Sequence, residues 1–187
     1  MKKLLTVFLL GISCFAHAQY NANNFTGTIN KLFAQEYSKE TTEYLAKVFI
    51  ARNILKLNEN ELTGFELDAI TAAKSGELTT VLYNCPKLNQ KGMVFVFYNY
   101  KEYSFYHFEY NEAKTLLDKI STAVEDNKQV LDEVNTSVLK ANDIHLIFAE
   151  SSIRVVWGEY DSSWDKSNFR TTYKRFDKFF KKEFKSN

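Results

Sequence analysis

Residues 93–110 read MVFVFYNYKEYSFYHFEY, and this stretch decides the fold. Nine of its eighteen residues are aromatic. Aromatic side chains, together with the β-branched Val94 and Val96, favour the pleated surface of a sheet, so the stretch is predicted to form a β-hairpin. Its turn is placed at Asn99–Glu102, where the absence of Gly favours a four-residue type I loop over a two-residue primed turn.

Successive residues of a strand point to opposite faces, so an even loop assigns every hairpin residue to one of two sets. One face carries Met93, Phe95, Phe97, Ser104, Tyr106, Phe108 and Tyr110. The second face carries Val94, Val96, Tyr98, Tyr103, Phe105, His107 and Glu109. Because both sets are largely apolar, we expect helices against one face and partial cover or a groove on the other.

The beginning of the chain has the pattern of a secretory signal peptide, predicted to cover Met1–Ala18. Lys2 and Lys3 form the positive region, Leu4–Phe15 the apolar region, and 16–18 a small-x-small cleavage site. An alternative is lipidation at Cys14, but Gly11 stands where lipoprotein signals usually carry Leu. The predicted location is therefore the periplasm or the exterior of a bacterial cell.

The mature chain is predicted to consist of a flexible, Asn-rich leader at 19–27 and a single domain at 28–187. Removal of the peptide takes two of the 24 basic residues and leaves 22 against 23 acidic residues, a balance that does not indicate nucleic-acid binding. Cys85 is then the remaining cysteine, so no internal disulfide is available to the fold.

Hydrophobic periodicity predicts the elements on either side of the hairpin. Before it we expect one or two helices within Thr28–Leu57, a short helix at Gly64–Ser75 that begins with the capping pattern of Thr63 and Glu66, and a strand at Leu78–Cys85. After it come a helix, three strands and a terminal helix, predicted at Asn111–Asp126, Val134–Lys140, Ile144–Ala149, Ile153–Gly158 and about Ser167–Phe184. The fold class is therefore α+β, with an antiparallel sheet built from two β-meanders, each followed by a helix, and with one to three helices N-terminal to the sheet.

Established catalytic signatures are largely absent from the sequence. It contains no phosphate-binding Gly-rich loop, no GxSxG elbow, no HExxH and no paired CxxC. The sequence therefore favours a non-catalytic protein. The alternative is a thiol or acid–base hydrolase, in which His107 or His145 would activate Cys85.

A metal site is not predicted either, and no cofactor is expected. His107 and Glu109 share one strand face and Glu112 follows, but a tetrahedral site needs three or four convergent donors. Between the last strand and the last helix, Trp157–Asp165 reads WGEYDSSWD, whose rings and carboxylates suit a sugar or a cation. Capping of the helix by Asp161 or Ser162 is the simpler interpretation of its polar residues.

Charge is distributed unevenly along the chain. Residues 166–187 hold eight basic and two acidic residues, whereas 19–165 hold 14 basic and 21 acidic residues. A basic amphipathic helix of this kind either docks its Phe stripe on the acidic body or lies on an anionic membrane surface. Docking is favoured, because the stripe would otherwise form a large exposed apolar patch.

These patterns favour an exported, non-catalytic module that binds a small ligand or a protein. The alternatives are the hydrolase and a membrane-peripheral envelope protein that uses the basic C-terminal helix. An apolar wall with a few placed polar groups is typical of a ligand groove, and the second hairpin face offers one. The candidate ligand-binding residues are Tyr98, Tyr103, Phe105, His107, Glu109 and Trp164.

Overall fold

A computed structural model describes residues 40–72, 76–98, 102–126, 137–149 and 151–181. The predicted signal peptide, the predicted leader, the first part of the predicted helical stretch Thr28–Leu57 and the type of the hairpin turn lie outside these residues. Contacts divide the chain into two units, 1–41 and 42–187, and the architecture below is that of the second unit.

Three longer helices, one short 3-10 helix at Pro86–Leu88 and eight strands make up the described chain. Within this unit, helix α1 is α-helical over 42–49 and continues as a π-helix over Ile50–Leu55. Helices α2 and α3 cover Tyr110–Asp126 and Lys166–Phe180. The strands are β1 Glu66–Ile70, β2 Thr79–Cys85, β3 Gln90–Tyr98, β4 Tyr103–Glu109, β5 Ser137–Ala141, β6 Ile144–Phe148, β7 Ser152–Trp157 and β8 Tyr160–Asp165.

The first four strands form one antiparallel meander in the order β1–β2–β3–β4. The predicted hairpin is confirmed as β3 and β4, in which Tyr98 pairs with Tyr103 and Phe95 with Tyr106. This register gives the two predicted face assignments, because it leaves an even loop between the strands. We call the face of Phe95 the inner face and the face of Phe105 the outer face.

The last four strands form a second antiparallel meander in the order β5–β6–β7–β8. The two sheets meet where Glu77 and Ser163 form a parallel bridge, with Leu78 N–H donating to Ser163 and Ser163 N–H donating to Gly76. Each meander is followed directly by a helix, α2 after the first and α3 after the second. The predicted α+β class with antiparallel meanders is therefore confirmed, and the meanders form two four-stranded sheets.

The main core lies on the inner face of the first sheet. Helix α2 packs against β3 and β4, and helix α3 packs against β1 and β2. The second sheet joins this core through Trp164, whose ring lies 5.1 Å from that of Phe95, and Trp157, 5.6 Å from Phe97. Docking of α3 through its Phe stripe is confirmed, since Phe169 and Phe176 are each 2% exposed. The part of this predicted helix beyond Lys181 lies outside the described residues.

The outer face of the first sheet has a smaller core of its own. Ala46, Ile50 and Ile54 of α1 pack on Val81 of β2 and Val96 of β3. Both faces of the aromatic hairpin are therefore packed against other parts of the chain, as its composition requires.

Two predicted local structures are wrong. The stretch predicted as a helix at Gly64–Ser75 contains strand β1, because pairing with β2 supplies backbone hydrogen bonds that a local helix would have to forgo. The capping prediction for Asp161 and Ser162 is also wrong, since both lie within β8. Helix α3 begins after β8, and Asp165 is its N-cap. The Asp165 carboxylate accepts a hydrogen bond from the Ser167 backbone amide at 2.7 Å.

Candidate functional site

One end of the predicted ligand-binding face of the hairpin lies beneath α1. The Phe105 ring stacks on Phe49 at 4.8 Å between centroids with an interplanar angle of 14°. The Tyr103 hydroxyl accepts from Thr42 at 3.4 Å, and the ring of Tyr98 lies 4.7 Å from that of Tyr103. Tyr98, Tyr103 and Phe105 are each half-buried, so α1 covers this end of the face in part.

His107, further along the same face, bonds to a residue that the sequence did not single out. Its Nε2 lies 2.7 Å from the Tyr83 hydroxyl. Tyr83 fits there because the neighbouring strand carries Gly92, where a Cβ would lie 3.1 Å from the Tyr83 ring and hydroxyl. The glycine thus provides the space for the Tyr83–His107 contact.

Burial determines the protonation of this pair. Burial is the main cause that raises the pKa of the Tyr83 hydroxyl, and the nearby Glu109 carboxylate is the second. Burial also lowers the pKa of His107, although Glu109 and Glu112 act in the opposite direction. The neutral forms of both Tyr83 and His107 are therefore favoured, with the Tyr83 hydroxyl donating a hydrogen bond to Nε2 of the neutral His107 imidazole.

The six predicted ligand-binding residues do not share one site. Tyr103 and Phe105 contact α1, and Tyr98 packs on Tyr103. His107 contacts Tyr83, and Glu109 is exposed at the end of β4. Trp164 is 0% exposed in the core on the inner side of the first sheet, where it contacts Phe95 and Phe169. The sheet itself therefore separates Trp164 from the other five.

Cys85 and the histidines lie apart. The thiol is buried and contacts Thr63 Oγ1 at 3.7 Å and the Gly64 carbonyl at 3.5 Å. In the sheet register, His107 on β4 is aligned with Val81 on β2, and Val81 is four residues from Cys85. His107 is therefore displaced from Cys85 by roughly 13 Å along the strands and roughly 10 Å across two strands. His145 is exposed on β6. Among the described residues, no hydrogen bond joins either imidazole to the thiol.

Other site types are equally sparse among the residues that the structure describes. No group of three or more His, Cys, Asp and Glu side chains converges as metal ligands there. An open groove of about 380 Å³ is lined by Glu66, Leu67, Asp68 and Phe179. None of the predicted ligand-binding residues lines this groove.

Helix α3 carries a row of exposed cations. Four cations are exposed on one side of the helix at a spacing of four, four and three residues, which places them in a single row. We call this row the basic stripe: Arg170, Lys174, Lys178 and Lys181. It covers 12 residues, and its first and last members lie about 16 Å apart along the helix axis.

Counter-charges near the stripe are few. Asp177 lies 3.7 Å from Lys181 and 3.9 Å from Lys114, while Arg175 on the flank of α3 pairs with Asp68 at 3.0 Å. Within the described ranges, no carboxylate lies within ion-pair distance of Arg170, Lys174 or Lys178. Three neighbouring cations of the stripe are thus available to a partner.

The sequence analysis identified the positive charge of this helix but not the alignment of its cations in one exposed row. The signal was present, since Arg170, Lys174 and Lys178 recur at intervals of four while Phe169, Phe176 and Phe179 occupy the opposite side. Tyr83 was missed because its role depends on a glycine in the adjacent strand. Among the described helices, none has the length and apolar character needed to cross a bilayer.

Comparison with known proteins gives no relative from which a role can be transferred. No family model, no curated protein and no solved structure matches this chain.

Proposed function

We propose that this protein is an exported, non-catalytic binding module, and that its basic stripe binds an acidic surface on another protein. The observation that carries the proposal is the row of exposed cations on α3, three of which have no acidic partner among the described residues. Export rests on the signal-peptide pattern of Met1–Ala18.

The stripe is suited to binding because α3 is held firmly beneath it. Phe169, Phe176 and Phe179 anchor the helix in the main core, and Asp165 caps its start. A rigid helix presents its cations at fixed positions, so less conformational freedom is lost when a partner binds. Complementary charge then increases the association rate and selects against basic partners.

A protein partner is favoured over a membrane surface by the position of the apolar side chains. Amphipathic helices that lie on membranes bury their apolar face in the bilayer. In α3 that face is already packed against β1 and β2, so only the electrostatic part of membrane binding is available. This part amounts to about 1 kcal/mol per cation and is strongly screened by salt.

The test is charge reversal of the stripe with a matched control. Arg170→Glu/Lys174→Glu/Lys178→Glu changes the net charge by the same amount as Lys47→Glu/Lys119→Glu/Lys140→Glu, in which the three exposed lysines are on separate elements. Binding of labelled poly-L-glutamate is measured by fluorescence anisotropy at low salt. We expect the stripe variant to bind at least about tenfold more weakly and the control to stay within about threefold of wild type.

Equal loss in the two variants would mean that only the net charge matters, and the proposal would then fail. Vesicles of phosphatidylglycerol form the second arm of the experiment. If wild type binds these vesicles more tightly than polyglutamate, and the stripe variant loses that binding, the partner is a lipid surface and the protein-binding proposal is overturned.

A further inference from the structure

Strand β4 is one edge of the first sheet. In the order β1–β2–β3–β4 it has β3 as a neighbour on one side. Among the residues that the structure describes, no backbone group bonds to Tyr103–Phe108 from the other side. An edge of this kind presents a row of backbone donors and acceptors that can template pairing with another strand.

Two contacts show which backbone groups of β4 point outward. The Glu109 amide donates to the Glu112 carboxylate at 3.2 Å, away from β3. The Phe108 carbonyl instead points toward β3, since a Cβ on Gly92 would lie 2.3 Å from its oxygen. Because the direction alternates along a strand, Tyr103, Phe105 and His107 also turn their N–H and C=O groups outward.

The sequence of this edge lacks the basic residues and proline that often protect an edge strand. Its seven residues read YSFYHFE and include no Lys, Arg or Pro, and the one formal charge is at its end. The other three sheet edges are shorter and are charged or engaged. Strand β1 has two acidic residues, β5 has a lysine, and β8 is bonded at Ser163 to Gly76 and Leu78, just before β2. A long aromatic edge without a charge in its interior favours strand pairing.

We propose that two copies of this chain pair through β4, antiparallel and about a twofold axis at Tyr106, to form a continuous eight-stranded sheet. In this register all seven residues of each strand overlap, and Phe105 lies opposite His107 of the second copy with the outward groups of both facing each other. About four backbone hydrogen bonds form, because Phe105 and His107 of each copy exchange two bonds with the residue opposite. The outward groups of Glu109 are already engaged, since its amide donates to Glu112 and its carbonyl accepts the first bond of α2.

The side chains of β4 complement themselves in this register. Tyr103 lies opposite Glu109 of the second copy, which places a hydroxyl donor next to a carboxylate. Ser104 lies opposite Phe108, and Tyr106 opposite its own equivalent on the twofold axis. Opposed aromatic and hydrogen-bonding pairs are the contacts that stabilise antiparallel sheets, and a self-complementary patch is what a twofold interface requires.

A charge-swap series tests the register. Wild type is examined by sedimentation equilibrium from about 1 to 100 µM, and we expect a concentration-dependent dimer. Tyr103→Glu places like charges opposite each other at both ends of the interface and should weaken the dimer at least about tenfold. Tyr103→Glu/Glu109→Lys restores opposite charges and should recover affinity to within about threefold of wild type.

A wild-type chain that stays monomeric throughout this range overturns the proposal, and so does a dimer that Tyr103→Glu leaves intact. Circular dichroism establishes that each variant is folded. If Tyr103→Glu does not fold, cysteine cross-linking decides the question. In the proposed dimer the two Cα atoms at position 106 lie about 4.5 Å apart, so the thiols of Tyr106→Cys are within disulfide range. The two Cα atoms at position 104 lie about 14 Å apart, too far for a disulfide between the thiols of Ser104→Cys. Oxidation should give a covalent dimer with Tyr106→Cys alone, and cross-linking of both or neither contradicts the register.

Discussion

The hydroxyl of Thr80 on β2 donates to the hydroxyl of Thr172 on α3 across 2.8 Å in the main core. Both residues are 0% exposed. The direction follows from a second bond: Thr172 already donates to the Asn168 carbonyl at 2.9 Å, so it can only accept from Thr80. A polar contact thus joins the first sheet to the last helix within an otherwise apolar layer.

Replacement of the two threonines should have unequal effects. Thr172→Val leaves the Thr80 hydroxyl buried without its acceptor, which should lower the free energy of unfolding by about 1–3 kcal/mol. Thr80→Val should lower it less, since Thr172 keeps its bond to Asn168. Urea unfolding followed by circular dichroism measures both, and the double valine variant should cost less than the two single variants together. A larger loss for Thr80→Val than for Thr172→Val would reverse the assigned direction.

Gly92→Ala should be strongly destabilising for steric reasons. The added Cβ would lie 2.3 Å from the Phe108 carbonyl oxygen, a backbone atom that cannot move without disturbing β4. Overpacking of this kind costs about 1–3 kcal/mol or more. Gly64→Ala is the matched control, because no atom lies within 4 Å of the added Cβ, and its unfolding free energy should stay within about 1 kcal/mol of wild type. Equal effects in thermal or urea unfolding would contradict the predicted close approach at β3.

Stability should decrease as the pH falls below 6.5, partly because of His107. Burial lowers the pKa of this imidazole from its ordinary value of 6.5, so the unfolded chain takes up the proton first. The resulting destabilisation is absent above pH 6.5, grows as the pH falls from there toward the folded-state pKa, and is complete below that pKa. His107→Gln should flatten this part of the curve of unfolding free energy against pH.

His145→Gln is the control for this experiment, since His145 is exposed on the second sheet. Both variants are unfolded in urea at a series of pH values and compared with wild type. If His107→Gln retains the full wild-type slope below pH 6.5, the half-buried imidazole of His107 is not the group responsible.

Trp164→Phe should cost much less than the size of the side chain suggests. Among the described residues the indole Nε1 is buried with no hydrogen-bond partner, so its removal relieves an unsatisfied donor. Trp164→Ala should lower the free energy of unfolding by about 3–5 kcal/mol. We expect Trp164→Phe to lose less than half as much, as measured by urea unfolding. Similar losses in the two variants would indicate that the indole nitrogen is satisfied in solution.

The hairpin could be predicted because its composition allows one interpretation. Its aromatic run does not suit a solvated helix, and its even loop fixes which residues share a face. The terminal helix was predictable for a similar reason, since Phe169, Phe176 and Phe179 recur at helical spacing. In both cases a long apolar pattern has only one way to be buried.

Strands β1 and β8 could not be predicted from local pattern. Over Thr63–Ile70 the residues satisfy a helix cap as well as an alternating strand, and only the pairing with β2 selects the strand. Strand β8 reads YDSSWD, with little intrinsic strand preference, and it forms because it pairs with β7 and buries Trp164. Both strands form because of tertiary contacts with residues distant in sequence. A short stretch of sequence does not contain those contacts.

The candidate sites divide in the same way. The cations of the basic stripe are visible in the sequence, but their exposure depends on where the Phe stripe docks. The Tyr83–His107 contact depends on Gly92 in a third strand, so residue type and spacing alone do not indicate it.

The packing of α3 against β1 and β2 also has a consequence for how the chain matures. Thr172 is 92 positions from its partner Thr80, and Arg175 is 107 positions from Asp68. The main core cannot form until the ribosome has synthesised α3, the last described helix. Contacts between residues so far apart in sequence slow folding. A chain that folds slowly stays unfolded for longer, and the proposed passage through a secretion channel requires an unfolded chain.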